Sequence, residues 1–247
     1  MLFVSIRGKN KMKAILLDIE GTTTPIDFVH KTLFPFAKAK TDEFVRDNFA
    51  EIKPEIAQLK TEYRRDFTEQ IYGRDFREDS PESVANYLKF LIDVDRKSTP
   101  LKSLQGKIWQ TGYESGELQS EMFADVPAAL ERWKEQGIQT AIFSSGSVLA
   151  QKLIFKYSNF GDLSPFINDY FDTTTGGAKK ETESYRRIAG KLGFEAGDVL
   201  FVSDVLAELD AARDAGMRTA LAIRAGNGQI TEDFTHQSVT SFDEIAI

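Results

Sequence analysis

A four-residue apolar run ending on an acid constrains this chain more than any other feature. Ala14-Ile15-Leu16-Leu17 is too short for a free-standing helix and reads as a strand buried on both faces. Asp18, Glu20, Gly21 and the threonine row Thr22–Thr24 follow it directly. In an open α/β sheet, ligands bind off the carboxyl ends of strands. Two carboxylates on one short turn there repel unless something positive sits between them. Mg²⁺, which prefers oxygen ligands and keeps some of its waters, suits that place. Taken alone, Asp18 is equally an ordinary turn residue bonding its own backbone, so the rest of the chain has to decide.

From Asp125 onward, helical stretches alternate with short apolar runs. Pro127–Gln136, Val148–Tyr157, Glu183–Leu192 and Ala207–Ala215 have helical periodicity, and Ile138–Phe143, Tyr170–Phe171, Asp198–Val202 and Thr219–Ile223 are predicted strands. Gly137, Gly193 and Gly216 stand where helices must stop and supply the left-handed residue that closes them. The alternation predicts an α/β fold, a Rossmann-like parallel sheet covered on both faces, with Phe166, Phe171 and Phe201 in its core. Between Ile26 and Gly112 that rhythm is absent. Leu33–Phe49, Ile56–Tyr72, Glu82–Asp93 and Leu101–Gly112 read as amphipathic helices, with Ser80 before Pro81 and Thr99 before Pro100 as N-caps. The expected organisation is a core of residues 12–25 and 113–247 with an all-helical cap, 26–112, inserted after the first strand. Met12 is a natural start, which makes Met1–Lys11 an N-terminal extension.

Parallel strands deliver their carboxyl ends to one rim, so the residues there converge. The first strand brings Asp18 and Glu20. The second brings Ser144-Ser145-Gly146-Ser147 to the start of a helix, where hydroxyls and backbone N–H groups form an anion site; Ser147 also suits an N-cap. The third leads through Thr173–Ala178 to Lys179, and the fourth ends Ser203-Asp204 with Glu208 one helical turn on. Asp18, Ser144, Lys179 and Asp204 on one rim describe phosphoryl transfer. A carboxylate serves as nucleophile, a divalent cation neutralises it and the phosphate, and serine and lysine hold the remaining oxygens.

Composition narrows the alternatives. A net charge of −7 with no basic block argues against nucleic acid as a partner. There is no cysteine, which excludes thiolate chemistry and disulfides, and the two histidines, His30 and His236, are too far apart in sequence to suggest zinc. No apolar run approaches membrane-spanning length and Leu2–Ile6 is too short for a signal-peptide core, so no membrane partner is expected. A cytoplasmic monomer acting on a small molecule is the expectation.

These residues resemble the haloacid dehalogenase-like phosphatase superfamily, with Asp18-Ile19-Glu20-Gly21-Thr22, Ser144, Lys179 and Asp204 at its four motif positions. The likeness extends to one member family, the enolase-phosphatases (acireductone synthases) of methionine salvage. It is carried by Asp-Ile-Glu-Gly-Thr-Thr-Thr-Pro at 18–25, Leu-Gln-Gly-Lys-Ile-Trp-Gln at 104–110 and Phe-Ala-Asp-Val-Pro at 123–127. Ser-Ser-Gly-Ser-Val-Leu-Ala-Gln-Lys-Leu-Ile-Phe at 144–155, Lys-Lys-Glu-Thr-Glu-Ser-Tyr at 179–185 and Ser-Asp-Val at 203–205 belong to it too.

The resemblance implies that 2,3-diketo-5-methylthiopentyl-1-phosphate is enolised. The enol phosphate is then hydrolysed to the acireductone 1,2-dihydroxy-3-keto-5-methylthiopentene, with Mg²⁺ as cofactor. By motif position Asp18, Glu20 and Asp204 go to the metal, Glu20 through its backbone carbonyl as one option, and Ser144, Ser145 and Lys179 go to the phosphate. Asp18, Glu20 and Lys179 are the expected catalytic groups. Glu20 stands where the superfamily usually has aspartate. For the enolisation base, Glu20 is a candidate, with Glu181 and Glu183 behind it. Trp109 and Tyr113 are expected either to line the methylthio pocket or to fill the hinge between cap and core. The alternative reading is a phosphatase of the same superfamily acting on another small phosphorylated metabolite.

Overall fold

The computed structural model describes residues 11–246, so the expected extension Met1–Lys11 lies, but for Lys11 itself, outside the described residues. The chain divides into two compact units: His30–Leu118, and a second that breaks off at Val29 and resumes at Gln119.

The second unit holds a parallel sheet of β1 (Ala14–Leu17), β2 (Gln139–Phe143), β3 (Asp169–Phe171), β4 (Val199–Ser203), β5 (Arg218–Ala222) and β6 (Gln237–Val239). The strands lie in the order β3-β2-β1-β4-β5-β6 and every pairing is parallel. All four residues of β1 are fully buried, as a central strand requires. The register sets the rim: Leu17 lies level with Ile142 and Val202, so Asp18 emerges level with Phe143 and Ser203. Helices α5 (Val126–Glu135), α6 (Val148–Lys156), α7 (Thr182–Leu192) and α8 (Leu206–Asp214) belong to this unit. Gly137, Gly193 and Gly216 all take positive φ where helices close. Phe171 and Phe201 are core residues, whereas Phe166 stays half-buried under the Lys134 ammonium. β6 escapes the sequence reading because Gln-Ser-Val contains no apolar run; backbone pairing to β5 makes it a strand.

The other unit contains α1 (Phe34–Asp47), α2 (Lys53–Thr68), α3 (Pro81–Asp93) and α4 (Thr99–Ser115). Leu59, Val84, Tyr87, Leu88, Leu91 and Leu104 are among its buried core residues. Asp66 is fully buried there, held by Arg96 at 3.0 Å and by the Tyr87 hydroxyl at 2.9 Å. The unit begins and ends a few residues later than the 26–112 read from the sequence, and α4 explains its far boundary. The helix read as Leu101–Gly112 runs on, because Gly112 lies inside α4, where a Cβ would come within 2.4 Å of the Phe36 ring. The helix closes instead at Gly116, with φ +78°. Trp109 donates its indole N–H to the Leu33 carbonyl at 2.9 Å and stacks on Phe34, so it fills this unit. Among the described residues no helix is long and apolar enough to cross a membrane.

One expected cap is displaced by a residue. Ser80 caps α3 by accepting from Ser83 N, but α4 is capped by Ser98, whose Oγ accepts from Leu101 N at 3.2 Å. Thr99 is already helical. A cap oxygen bonds the N–H two or three positions on, and Pro100 at the second helical position offers none. Ser98→Ala should therefore cost about 1 kcal/mol in urea unfolding, and Thr99→Ala much less. The reverse order would restore the cap to Thr99.

Candidate active site

The turn after β1 is wound onto one carbonyl. The backbone N–H groups of Thr22, Thr23 and Thr24 all point at Ile19 O, at 3.1, 2.9 and 3.0 Å. All three threonine side chains are buried, and Thr23 Oγ1 adds bonds to Asp18 O and Ile19 O. Asp18, 4 % exposed, donates its N–H to Val202 O and takes the Ile19 N–H on Oδ1 at 2.8 Å. Gly21 is required in this turn. Its φ is +70°, and a Cβ there would come within 2.2 Å of Asp204 Oδ2. The turn is also held from outside: Arg224 Nε donates to Thr22 O at 3.0 Å, and Asn227 Nδ2 to Gly21 O at 2.8 Å.

Lys179 reaches this turn from the loop after β3. Its Nζ lies 2.7 Å from Asp18 Oδ1 and 2.7 Å from Glu208 Oε2, with the side chain 8 % exposed. The buried Tyr185 on α7 fixes the lysine backbone by donating its hydroxyl to Lys179 O at 2.6 Å. Burial works against the Lys179 charge, but Asp18 and Glu208 outweigh it and hold the ammonium above its usual range. One ammonium thus serves two carboxylates. Ser203 Oγ lies 3.1 Å from Asp18 Oδ2 and 3.2 Å from Glu208 Oε2, and its single proton can go to only one of them at a time. Burial, then the charge of Asp18, pushes the Glu208 carboxyl up to about 7 despite the lysine.

Asp204 follows β4 against Gly21. Burial, then the charge of Asp18, pushes its carboxyl up to about 7, with Glu20 adding to the effect. Glu20 is half-buried. Ser144 leaves β2 with its N–H on Phe171 O, and its Oγ accepts from Gly146 N at 3.3 Å. Ser145 is exposed beside it, and Ser147 caps α6 by accepting from Ala150 N. The buried Gln151 ties this loop to the end of β3, donating from Nε2 to Gly146 O and to Phe171 O, each at 2.9 Å. Glu181 and Glu183 are both exposed, and Glu183 pairs with Arg186.

Direct contact therefore joins Asp18 to Lys179, close approach joins Asp204 to the Gly21 turn, and strand register places Ser144 on the same rim. Sequence reasoning gave no role to Glu208, Ser203, Tyr185, Gln151 or Asn227. For Glu208 a positional signal existed, one helical turn after the strand-end pair Ser203-Asp204 and in the first turn of α8.

No group of three acidic or histidine side chains is gathered as a metal cage among the described residues. A cation at this rim would rest on Asp18 and Asp204, completed by non-side-chain oxygens such as the Glu20 carbonyl and water. That all-oxygen, partly hydrated set suits Mg²⁺. The raised Asp204 carboxyl, a buried anion beside another anion, is the fit such a dication would relieve.

A family model described as haloacid dehalogenase-like hydrolase matches residues 12–216. The protein named enolase-phosphatase E1 from Leptospira borgpetersenii is 50 % identical over 228 residues, 92 % of this chain and 96 % of that one. Its namesake from Synechococcus elongatus is 48 % identical over 234 residues, 94 % of this chain and 96 % of the relative. Among solved structures, the UTR4 protein of Saccharomyces cerevisiae superposes with a TM-score of 0.78 at 35 % identity, covering 95 % of this chain and all of that one.

The raised carboxyls set a pH dependence for the metal-free protein. Between about pH 4 and 7 the folded chain keeps protons on Asp204 and Glu208 that the unfolded chain releases near pH 4. The folded state then binds more protons, so stability falls as pH rises through this window. In chelator, the calorimetric midpoint should drop from pH 5 to pH 8, and Asp204→Asn should flatten the profile. A midpoint climbing over that range would contradict the arrangement.

Proposed function

The chain belongs to the haloacid dehalogenase-like hydrolases and, within them, to the enolase-phosphatases, and from that premise we propose how its residues divide the work. The enzyme enolises 2,3-diketo-5-methylthiopentyl-1-phosphate and hydrolyses the enol phosphate to the acireductone, a step of methionine salvage. The observation that carries the reading is the Asp18–Lys179 pair at 2.7 Å, with Asp204 packed against the next turn residue, Gly21. A phosphatase nucleophile needs a fixed cation on one side and room for a mobile one on the other.

In the first step Glu20 takes the C1 proton next to the C2 carbonyl, and the carbonyl oxygen gains a proton, so the ketone becomes an enol with no net loss. Glu20 is assigned this role because it is half-buried and close enough to Asp204 for its charge to be felt there. In the second step the Asp18 carboxylate attacks phosphorus and the bond from phosphorus to the C1 oxygen breaks with its electron pair. Lys179, Ser144 and Ser145 hold the phosphoryl oxygens meanwhile. Water then attacks the aspartyl-phosphate, inorganic phosphate leaves and the Asp18 carboxylate is restored. Ser203 and Glu208 keep Lys179 and Asp18 aligned throughout. Mg²⁺, held by Asp18, Asp204 and the Glu20 carbonyl, would neutralise the charge on carboxylate and phosphate and polarise the substrate carbonyl. A cytoplasmic monomer acting on a free metabolite is the setting for this chemistry.

The two steps separate in two variants. With the diketone phosphate and Mg²⁺, Asp18→Asn should still build up an ultraviolet-absorbing enol while phosphate release falls at least about a thousandfold. Glu20→Gln should stall before the enol yet still hydrolyse enol phosphate supplied ready-made, because an enol leaves more easily than an alkoxide. Phosphate release without any absorbing product from the parent enzyme would favour a phosphatase for another small metabolite. Unchanged phosphate release in Asp18→Asn would remove the nucleophile.

A further inference from the structure

Asn227 sits in the loop after β5, on a strand that sends no residue into the chemistry described so far. Its base is firmly anchored. Asn227 N donates to Arg224 O, and Arg224 is buried with its guanidinium between the rings of Phe123 and Phe242, 4.7 and 4.4 Å from their centroids. The same guanidinium bonds Asp125 Oδ2 at 2.8 Å, Thr240 O at 3.0 Å and Thr22 O at 3.0 Å. The loop is therefore tied to the turn after β1 before Asn227 adds anything.

A carboxamide nitrogen carries two hydrogens, and both are used here. One goes to Gly21 O at 2.8 Å and the other to Asp204 Oδ2 at 3.2 Å. These two acceptors are forced together, since Asp204 Oδ2 occupies the space a Cβ on Gly21 would need. Without a donor between them the ionised carboxylate and the carbonyl oxygen repel, and the carboxylate loses the side-chain contact that holds its rotamer. The donor is also neutral. An arginine or lysine in its place would cancel the very charge a dication needs, and an aspartate would add a third acid.

We propose that Asn227 is a positioning residue for the divalent cation: its amide bridges Asp204 and the Gly21 carbonyl and fixes the carboxylate that binds the metal. The proposal rests on the cation-dependent reading above. Outer partners of metal ligands usually set affinity by about ten- to a hundredfold, so an effect of that size on cation binding is expected with little change in the fold.

The test is calorimetric titration of MgCl₂ into chelator-stripped, substrate-free protein, comparing the parent with Asn227→Leu, of similar size but no donor, and Asn227→Ala. Each is also melted in chelator. Both variants should bind Mg²⁺ about ten- to a hundredfold more weakly, while the metal-free melting point falls by no more than about 4–8 °C, the cost of the two hydrogen bonds lost. If either folded variant binds Mg²⁺ within twofold of the parent, whatever its melting point, the proposal is overturned and the function stands. If the parent itself binds no Mg²⁺, the cation reading fails and takes this proposal with it.

Discussion

A buried ammonium shared between two carboxylates is the contact on which the chemistry of this chain depends. Lys179 lies between Asp18 and Glu208, so the turn after β1, the loop after β3 and the first turn of α8 meet at one nitrogen. Buried ions are costly unless they are paired and hydrogen-bonded, and this cluster has one positive charge for two negative ones. Ser203 shares its one proton between Asp18 and Glu208, and the Glu208 and Asp204 carboxyls are both held up to about 7. A site left short of positive charge in this way favours the arrival of a dication or of a proton, and both are wanted in phosphoryl transfer. Stability has been traded for readiness.

The sheet positions these groups with little help from loops. Because β1 is central and in register with β2 and β4, residues 125 or more positions apart arrive level at one rim. The loops then need only small adjustments. Gly21 lets a carboxylate approach the backbone, Gly177 at φ +109° leaves room for Ser184 beside the loop that presents Lys179, and Gln151 locks the serine loop to β3.

Much of this was written plainly in the chain. The alternation of apolar runs and helices after Asp125 specifies a parallel sheet, with Asp18, Ser144 and Asp204 directly after predicted strands and Lys179 at the end of the loop that follows another. What stayed hidden is what depends on tertiary packing. The helix read to Gly112 runs on past it, since Gly112 is a packing glycine against Phe36, and Thr99 looks like a cap one residue from the real one. Gln237–Val239 has no strand signature and is recruited by its neighbour. Asn227 and Arg224 sit in an ordinary-looking Arg-Ala-Gly-Asn stretch, and their meaning lies in carbonyls two hundred residues away. Side chains that serve backbone groups leave no periodic trace.

The central place of β1 has a consequence for synthesis. Its hydrogen-bond partners start at Gln139 and Val199, so the strand leaves the ribosome long before anything can pair with it. The whole of His30–Leu118, a unit with its own core, emerges in the interval. A fully apolar strand awaiting distant parallel partners is a slow and aggregation-exposed arrangement. The helical segment therefore has time to fold while Ala14–Leu17 remains unpaired, and the sheet closes only once Gln139 and then Val199 have been made.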